Sequence, residues 1–152
     1  MQEMLYKAVF WRARANKPSL EEGLALPEVR SALAGWGERG GDTGVIATVD
    51  SVPAGAAWFR FWTKDPLIRG YVDETIPVLA IGVHRDYRRR GIGSRMIEWL
   101  VDRASRRGIH HISLMVAQDN VALNLYRQQG FVEYADTGDD FVMVRQVESR
   151  PG

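Results

Sequence analysis

The chain of 152 residues is 45% hydrophobic and 26% charged, the balance of a soluble globular domain built round one core. Twenty Lys and Arg against nineteen Asp and Glu leave a formal charge of +1, too small a basic excess for a dedicated nucleic-acid binder. With no Cys, disulfide scaffolds, thiolate metal sites and cysteine nucleophiles are excluded.

Residues 5–11 are apolar and β-prone apart from Lys7 and predict a first strand. The N-terminal residues 1–17 mix charged with apolar side chains and carry no signal-peptide core. Pro18 and Ser19 then open a helical stretch with Glu21 and Glu22 early and Leu20, Leu24 and Leu26 apolar. Pro27 interrupts it, and residues 29–33 predict a second short helix. Gly35, Gly37, Gly40, Gly41 and Gly44 form a flexible connection, which lacks the Lys-Ser/Thr pair of a phosphate loop. Strands at 45–49 and 54–62 flank Asp50-Ser51-Val52-Pro53 and predict an antiparallel hairpin with a four-residue turn. Within the second run, Trp58, Phe59, Phe61 and Trp62 are read chiefly as core.

A loop over 63–73 leads to the most apolar stretch, 76–83, interrupted by Pro77 and too short to cross a bilayer. It reads as a central strand. From 90 to 107 the period becomes helical, with Ile92, Met96, Trp99, Leu100 and Ala104 on one face and Gly108 as the stop. A strand at 112–116, a helix at 120–129 closed by Gly130, and a hairpin of 131–135 with 141–147 complete the domain. Residues 149–152 read as a frayed tail. The order predicts an α+β sandwich, a mixed, mostly antiparallel sheet of about seven strands with about four helices, forming a single domain over 1–148. The expected location is cytoplasmic, with no membrane association.

The segment with most chemical content runs from Val83 to Ser94. A buried strand ends, Arg88, Arg89 and Arg90 follow, and Gly91 and Gly93 open an amphipathic helix. Helix-opening N–H groups lack internal partners and lie at the positive end of the dipole, so this is an anion site. The dinucleotide pattern fails because its third glycine position is Met96, and a Walker loop fails for want of Lys-Ser/Thr. Stacking aromatics are not interleaved with the arginines, which argues against a nucleic-acid surface.

The spacing Arg88-x-x-Gly91-x-Gly93 after a buried strand resembles the coenzyme A loop of the GNAT superfamily of acetyl-CoA-dependent N-acetyltransferases. Ala122, Leu125, Tyr126, Gly130 and Phe131 resemble that family's closing motif, in the expected order. The resemblance implies a GNAT-like fold and transfer of an acetyl group from acetyl-CoA to a primary amine through a tetrahedral intermediate. It implies pyrophosphate contacts from Arg88, Arg89, Arg90, Gly91, Ile92, Gly93 and Ser94, mostly through backbone N–H groups. It further implies pantetheine pairing by the backbone of Ile81 and Val83, one N–H polarising the acetyl carbonyl. Tyr126 takes the place of the acid that protonates the departing thiolate.

Two positions depart from the family pattern. The helix-opening Asn is expected seven residues before the Tyr, where this chain has Asp119; Asn120 lies six before it. Either the helix entry is one residue shorter and Asn120 contacts the coenzyme, or Asn120 has lost that contact; an Asp at 119 would sit poorly beside phosphates, and a helix-capping role for it is equally natural. No carboxylate lies on the central strands, so the general base is Asp73, Glu74 or water. Asp42, Asp65, Asp73 and Glu74 favour a cationic small-molecule acceptor, with a peptide amine the other possibility. His84, His110 and His111 lack metal-ligand spacing, so no metal is expected. Many relatives dimerise, and the sequence leaves the oligomeric state open. The rival functions are a non-catalytic acyl-CoA-binding module and a phosphate-reading nucleic-acid adaptor.

Overall fold

The computed structural model describes residues 41–64, 68 and 70–148. The strand predicted at 5–11, the helices predicted between 18 and 33, and the tail at 149–152 lie outside the described residues. Strands β1 (Thr43–Val49) and β2 (Val52–Arg60) are joined by Asp50 and Ser51 alone, at φ 49° and 67°. Two consecutive left-handed residues match the twist of a tight hairpin. The turn is therefore two residues long, not four. Pro53 enters the strand where the register shifts, Ala47 facing Gly55 but Thr48 facing Pro53, so its missing N–H falls at an irregularity in the ladder.

β3 (Val78–Val83) is followed by a 3-10 turn (Arg85–Tyr87) and helix α1 (Ile92–Arg106). Then come β4 (His111–Ala117), α2 (Ala122–Gln128), β5 (Val132–Asp136) and β6 (Asp140–Gln146). The six strands form one sheet in the order β1-β2-β3-β4-β6-β5. Every neighbouring pair is antiparallel except β3 and β4, which are parallel and joined by α1. The α+β class and mixed sheet agree with the sequence reading, with six strands and two α-helices among the described residues.

Register puts Ala57 beside Ile81, Phe59 beside Leu79, and Leu114 beside Met143. These side chains share one sheet face and pack with Met96, Ile97, Leu100 and Ala104 of α1 and with Leu123 and Tyr126 of α2. Trp99 is the exception to the predicted helix face. One residue, about 100° of helix rotation, from Leu100, it is 37% exposed, and the Arg103 guanidinium lies 4.7 Å from its ring centroid. Ile97 is buried on the core side instead. The opposite face of β2 is also inside. Ala56, Trp58 and Arg60 are buried there, and Arg60 Nε donates to Asp42 Oδ1 at 2.9 Å. A charge so enclosed persists because it is paired.

Each helix ends on a left-handed glycine. Gly108, at φ +73°, lets the Ile109 N–H return to the Ala104 carbonyl at 3.0 Å. Gly130, at φ +88°, lets the Phe131 N–H reach the Tyr126 carbonyl at 3.0 Å, which fixes Tyr126 against the next strand. Truncating Leu100 to Ala is expected to destabilise the fold by about 2–5 kcal/mol. Trp99→Ala should cost about 1 kcal/mol or less, the two being compared by urea denaturation.

Candidate active site

The parallel pair is a fork. β3 and β4 share one register pair, Val78 with Ser113, fastened by the Ser113 N–H on the Pro77 carbonyl at 3.0 Å. Beyond that apex the strands diverge. Backbone groups alternate in direction along a strand. The His84 N–H donates to the Ala54 carbonyl at 2.7 Å, so even-numbered residues of β3 face β2 and Ile81 and Val83 face the fork. On β4, Gln118 donates to Asp139 and the His110 carbonyl accepts from Val147, which turns even-numbered residues toward β6. Met115 and Ala117 thus face the fork from the other side.

The last carbonyl of each arm is already taken. Val83 accepts from Arg88 Nε at 3.1 Å, and Ala117 accepts from the Asn120 N–H at 3.0 Å. The mouth of the fork therefore presents mainly N–H groups, from Ile81, Val83, Met115 and Ala117, that have no strand partner across it. The deeper carbonyls of Ile81 and Met115 complete an edge able to pair with an extended amide chain.

The loop after β3 delivers a helix N-terminus to this mouth. His84 Nδ1 accepts from the Asp86 N–H at 3.2 Å and starts the 3-10 turn. Arg89 and Gly91 are left-handed, at φ 63° and 77°, and reverse the chain into α1. The first helical bond runs from the Arg95 N–H to the Gly91 carbonyl at 3.1 Å. The N–H groups of Ile92, Gly93 and Ser94 consequently have no intrahelical partner. Gly91 supplies no side-chain cap and the first turn holds no acidic residue, so the positive end of the dipole is uncompensated.

The two glycines differ in purpose. A Cβ on Gly91 would meet nothing within 4 Å, so that glycine is needed for its dihedral angle. A Cβ on Gly93 would lie 3.1 Å from Leu125 Cδ2 and 3.8 Å from Ile81 Cδ1. Gly93 lets the first turn of α1 settle against α2 and β3, which brings the helix N-terminus close to the fork. The arginines also divide. Arg88 Nε is tied to Val83, and the Arg90 guanidinium rests 5.4 Å from the Tyr87 ring centroid, its charge held beside the helix entry.

Asn120 opens α2, its Oδ1 accepting from the Ala122 N–H at 2.9 Å. This bond makes Asn120 the side chain that meets the backbone at the entry to α2, while Asp119 is exposed. Tyr126 is buried, edge-on to Phe131 with ring centroids 6.1 Å apart, and burial pushes its phenol above the ordinary value. It therefore keeps its proton across the neutral range. Asp73 is exposed and held below the usual carboxylate range by the Thr75 hydroxyl at 2.5 Å and the Thr75 N–H at 2.9 Å. Glu74 is exposed beside it. Asp42 is removed from the acceptor acids, since Arg60 pairs with it inside the protein; Asp65 lies outside the described residues. Trp58 and Phe59 are both core, on opposite faces of β2. Among the described residues no cluster of His, Asp and Glu could hold a metal ion. Ser113 escaped the sequence reading. Its only signal is a hydroxyl in an apolar strand, and its Oγ donates to the Gly70 carbonyl at 2.8 Å.

The profile of the acetyltransferase (GNAT) family matches residues 7–131. The chain belongs to the GNAT family of acetyltransferases. No curated protein sequence matches it. Among solved structures it is similar to the putative acetyltransferase yncA of Salmonella typhimurium, determined with acetyl-CoA. That pair is 22% identical, covers 99% of this chain and 88% of the other, and has a TM-score of 0.65. The PaiA N-acetyltransferase of Thermoplasma acidophilum, in complex with coenzyme A, is 16% identical over 95% of this chain and 89% of its own, at TM-score 0.68. The ribosomal-protein-S18-alanine N-acetyltransferase of Escherichia coli is 21% identical over 99% and 90%, at TM-score 0.63. The sheet formed by the described residues, with its parallel fork, is thus a GNAT sheet.

Within this GNAT site, Gly91→Ala should destabilise the fold by about 1–2 kcal/mol, the cost of a Cβ in the left-handed region. Gly93→Ala should change stability by less than about 1 kcal/mol, because improved helix propensity offsets pressure on the mobile end of Leu125. Thermal and urea unfolding of the two variants separate these outcomes.

Proposed function

We propose that this GNAT acetyltransferase moves the acetyl group of acetyl-CoA onto a primary amine by direct attack, as one catalytic domain over residues 1–148. The observation that carries the reading is the junction of two features: an uncapped helix N-terminus lying against an open strand edge. The diphosphate would accept hydrogen bonds from the N–H groups of Ile92, Gly93 and Ser94, with Arg89, Arg90 and Gly91 lining the approach. The two amides of the pantetheine arm would pair with Ile81 and Val83. A fork N–H donating to the acetyl oxygen would stabilise the negative charge that develops as the carbonyl carbon becomes tetrahedral.

The acceptor ammonium, with a pKa near 10, must lose a proton before it attacks. Asp73 is a poor base because its pKa is lowered, and water at the open face is the simplest carrier. The tetrahedral intermediate then collapses, breaking the carbon–sulfur bond and leaving the amide and a thiolate. Full transfer of the Tyr126 proton to that thiolate is uphill, since a thiol has a pKa of about 8.5 and this phenol lies above about 10. Tyr126 is assigned a hydrogen bond to the developing thiolate, with the proton supplied finally by solvent. Support for coenzyme binding comes from the yncA and PaiA structures, which hold acetyl-CoA and coenzyme A. With Asp42 withdrawn, a preference for cationic acceptors rests, among the described residues, on Asp73 and Glu74. Among the described residues no helix is long and apolar enough to cross a membrane, and a cytoplasmic location is part of the proposal.

A second reading, an acyl-CoA-binding module without turnover, is favoured by one observation: β3 and β4 carry no carboxylate at the fork. Calorimetry with acetyl-CoA and a thiol-release assay on a panel of primary amines distinguish the two. Binding with amine-dependent thiol release is expected, and binding alone would establish the module. Tyr126→Phe should lower kcat about 10–100-fold, the loss of one hydrogen bond to a charged group, with acetyl-CoA affinity unchanged. The rate should climb with pH toward the pKa of the amine. Because Asp73 is already ionised well below neutrality, Asp73→Asn should leave that alkaline limb in place, as pH–rate profiles would show.

A further inference from the structure

Ser113 is fully buried in a strand that is otherwise apolar after its first residue, His111, and lies on the sheet face away from both helices. It occupies the apex of the fork as the register partner of Val78. Its hydroxyl is spent on a main-chain carbonyl 43 residues earlier, that of Gly70, at 2.8 Å. Gly70 in turn spans both arms. At φ +86° its Cα hydrogen position points at the apex, where a Cβ would lie 3.1 Å from Val78 Cγ1, 3.3 Å from the Met115 nitrogen and 3.4 Å from the Leu114 carbonyl carbon. The chain then turns back through Tyr71, whose N–H donates to the Ile68 carbonyl at 3.2 Å, and through the Asp73–Thr75 turn closed by the Ile76 N–H on the Asp73 carbonyl at 3.1 Å.

The apex is also where the reaction must happen if the proposed function holds. Val83 to Val78 spans five residues, about 16 Å at strand rise, and an extended pantetheine arm is of comparable length. A coenzyme whose diphosphate sits at the mouth therefore brings its thioester toward Val78 and Ser113. The amine cannot arrive from the helix face, which Phe59, Leu79, Leu100, Leu114 and Met96 fill. It must arrive from the opposite face, and there the segment that lies on the apex among the described residues is the one led by Gly70.

We infer that residues 70–75 form a wall of the amine-acceptor subsite, and that Ser113 is the positioning residue that fastens this wall across the fork. The inference rests on the proposed function and adds to it the residues that shape the acceptor side. Tyr71, half-buried, has its phenol raised by desolvation and by the nearby charges of Glu74 and Asp73, which agrees with an electronegative rim. Removing the Ser113 hydroxyl should loosen the wall while leaving the helix N-terminus and the outer fork, where the coenzyme is held, as they are.

The test uses the full chain with acetyl-CoA and three amines, spermidine, L-lysine and a peptide with an N-terminal alanine. The one turned over fastest by the parent protein serves for kinetics. Ser113→Ala should raise KM for the amine about tenfold, the loss of a buried hydrogen bond. The acetyl-CoA Kd measured by calorimetry should stay within about twofold. Ser113→Thr, which keeps the hydroxyl, should restore most of the amine KM. Gly70→Ala, which disturbs the same contact from the loop side, should reproduce the Ser113→Ala effect. An unchanged amine KM in folded Ser113→Ala would overturn the inference, as would an equal loss of acetyl-CoA affinity. Should that variant fail to fold, Tyr71→Ala decides: an altered ranking of the three amines supports the wall, and an unaltered ranking refutes it. Absence of acetyl-CoA binding by the parent protein would instead refute the proposed function itself.

Discussion

Two parallel strands that are hydrogen-bonded at one end and separated at the other create the condition on which this site depends. A continued β3–β4 ladder would consume the N–H groups of Ile81, Val83, Met115 and Ala117 and leave no edge for an extended amide chain. Continuation is opposed by local bonds that have already engaged the carbonyls a ladder would need. Arg88 holds Val83, and the Asn120 N–H holds Ala117. Unpaired N–H groups in a protein interior are costly, and the mouth of a cleft lets solvent or a ligand satisfy them. Among the described residues, the fork is a place where the fold leaves backbone valence unused, and the helix N-terminus beside it does the same for three more amides.

This arrangement assigns the charged residues of the loop a smaller share of recognition than their number implies. Arg88 acts through its Nε as a strand terminator, and Arg90 is steadied by Tyr87. The proposed anion site is main chain, set by left-handed Arg89 and Gly91 and by close packing at Gly93. Such a site is rigid, because it is fixed by helix geometry rather than by long side chains that must lose rotamer freedom. Catalysis in the proposed scheme has the same character. Its electrostatic part comes from fork amides, and Tyr126 contributes a neutral donor kept protonated by burial.

The anion loop and the closing motif were legible in the sequence because both are local: a strand end, glycines at fixed offsets, and a helix that follows. The choice of Ile81 and Val83 came from the family resemblance and not from the local pattern; the register with β2 turns both toward the fork. What escaped was tertiary. The Asp50-Ser51 turn is shorter than predicted because a register shift absorbs Pro53, which no local pattern announces. Trp99 fits the helical period as well as Ile97 does, and Arg103 over its ring decides the side. Asp42 looks like a free acid until β2 brings Arg60 to it. Asn120 accepts from the Ala122 N–H at the entry to α2, a bond that residue type alone did not assign between Asn120 and Asp119. The Ser113–Gly70 bond spans 43 residues, beyond the reach of any window. The first strand and helices of the predicted fold lie outside the described residues.

Amide hydrogen exchange, read residue by residue with and without coenzyme A, tests the central claim most directly. In the free protein, Gly82 and His84 should be protected by β2 while Ile81 and Val83 exchange rapidly, an alternation that only an open edge produces. Coenzyme A should then slow Ile81 and Val83 together with Ile92, Gly93 and Ser94 at the start of α1. Uniform protection along β3 in the free protein, or a saturating dose of coenzyme A that leaves those five amides unchanged, would contradict the account.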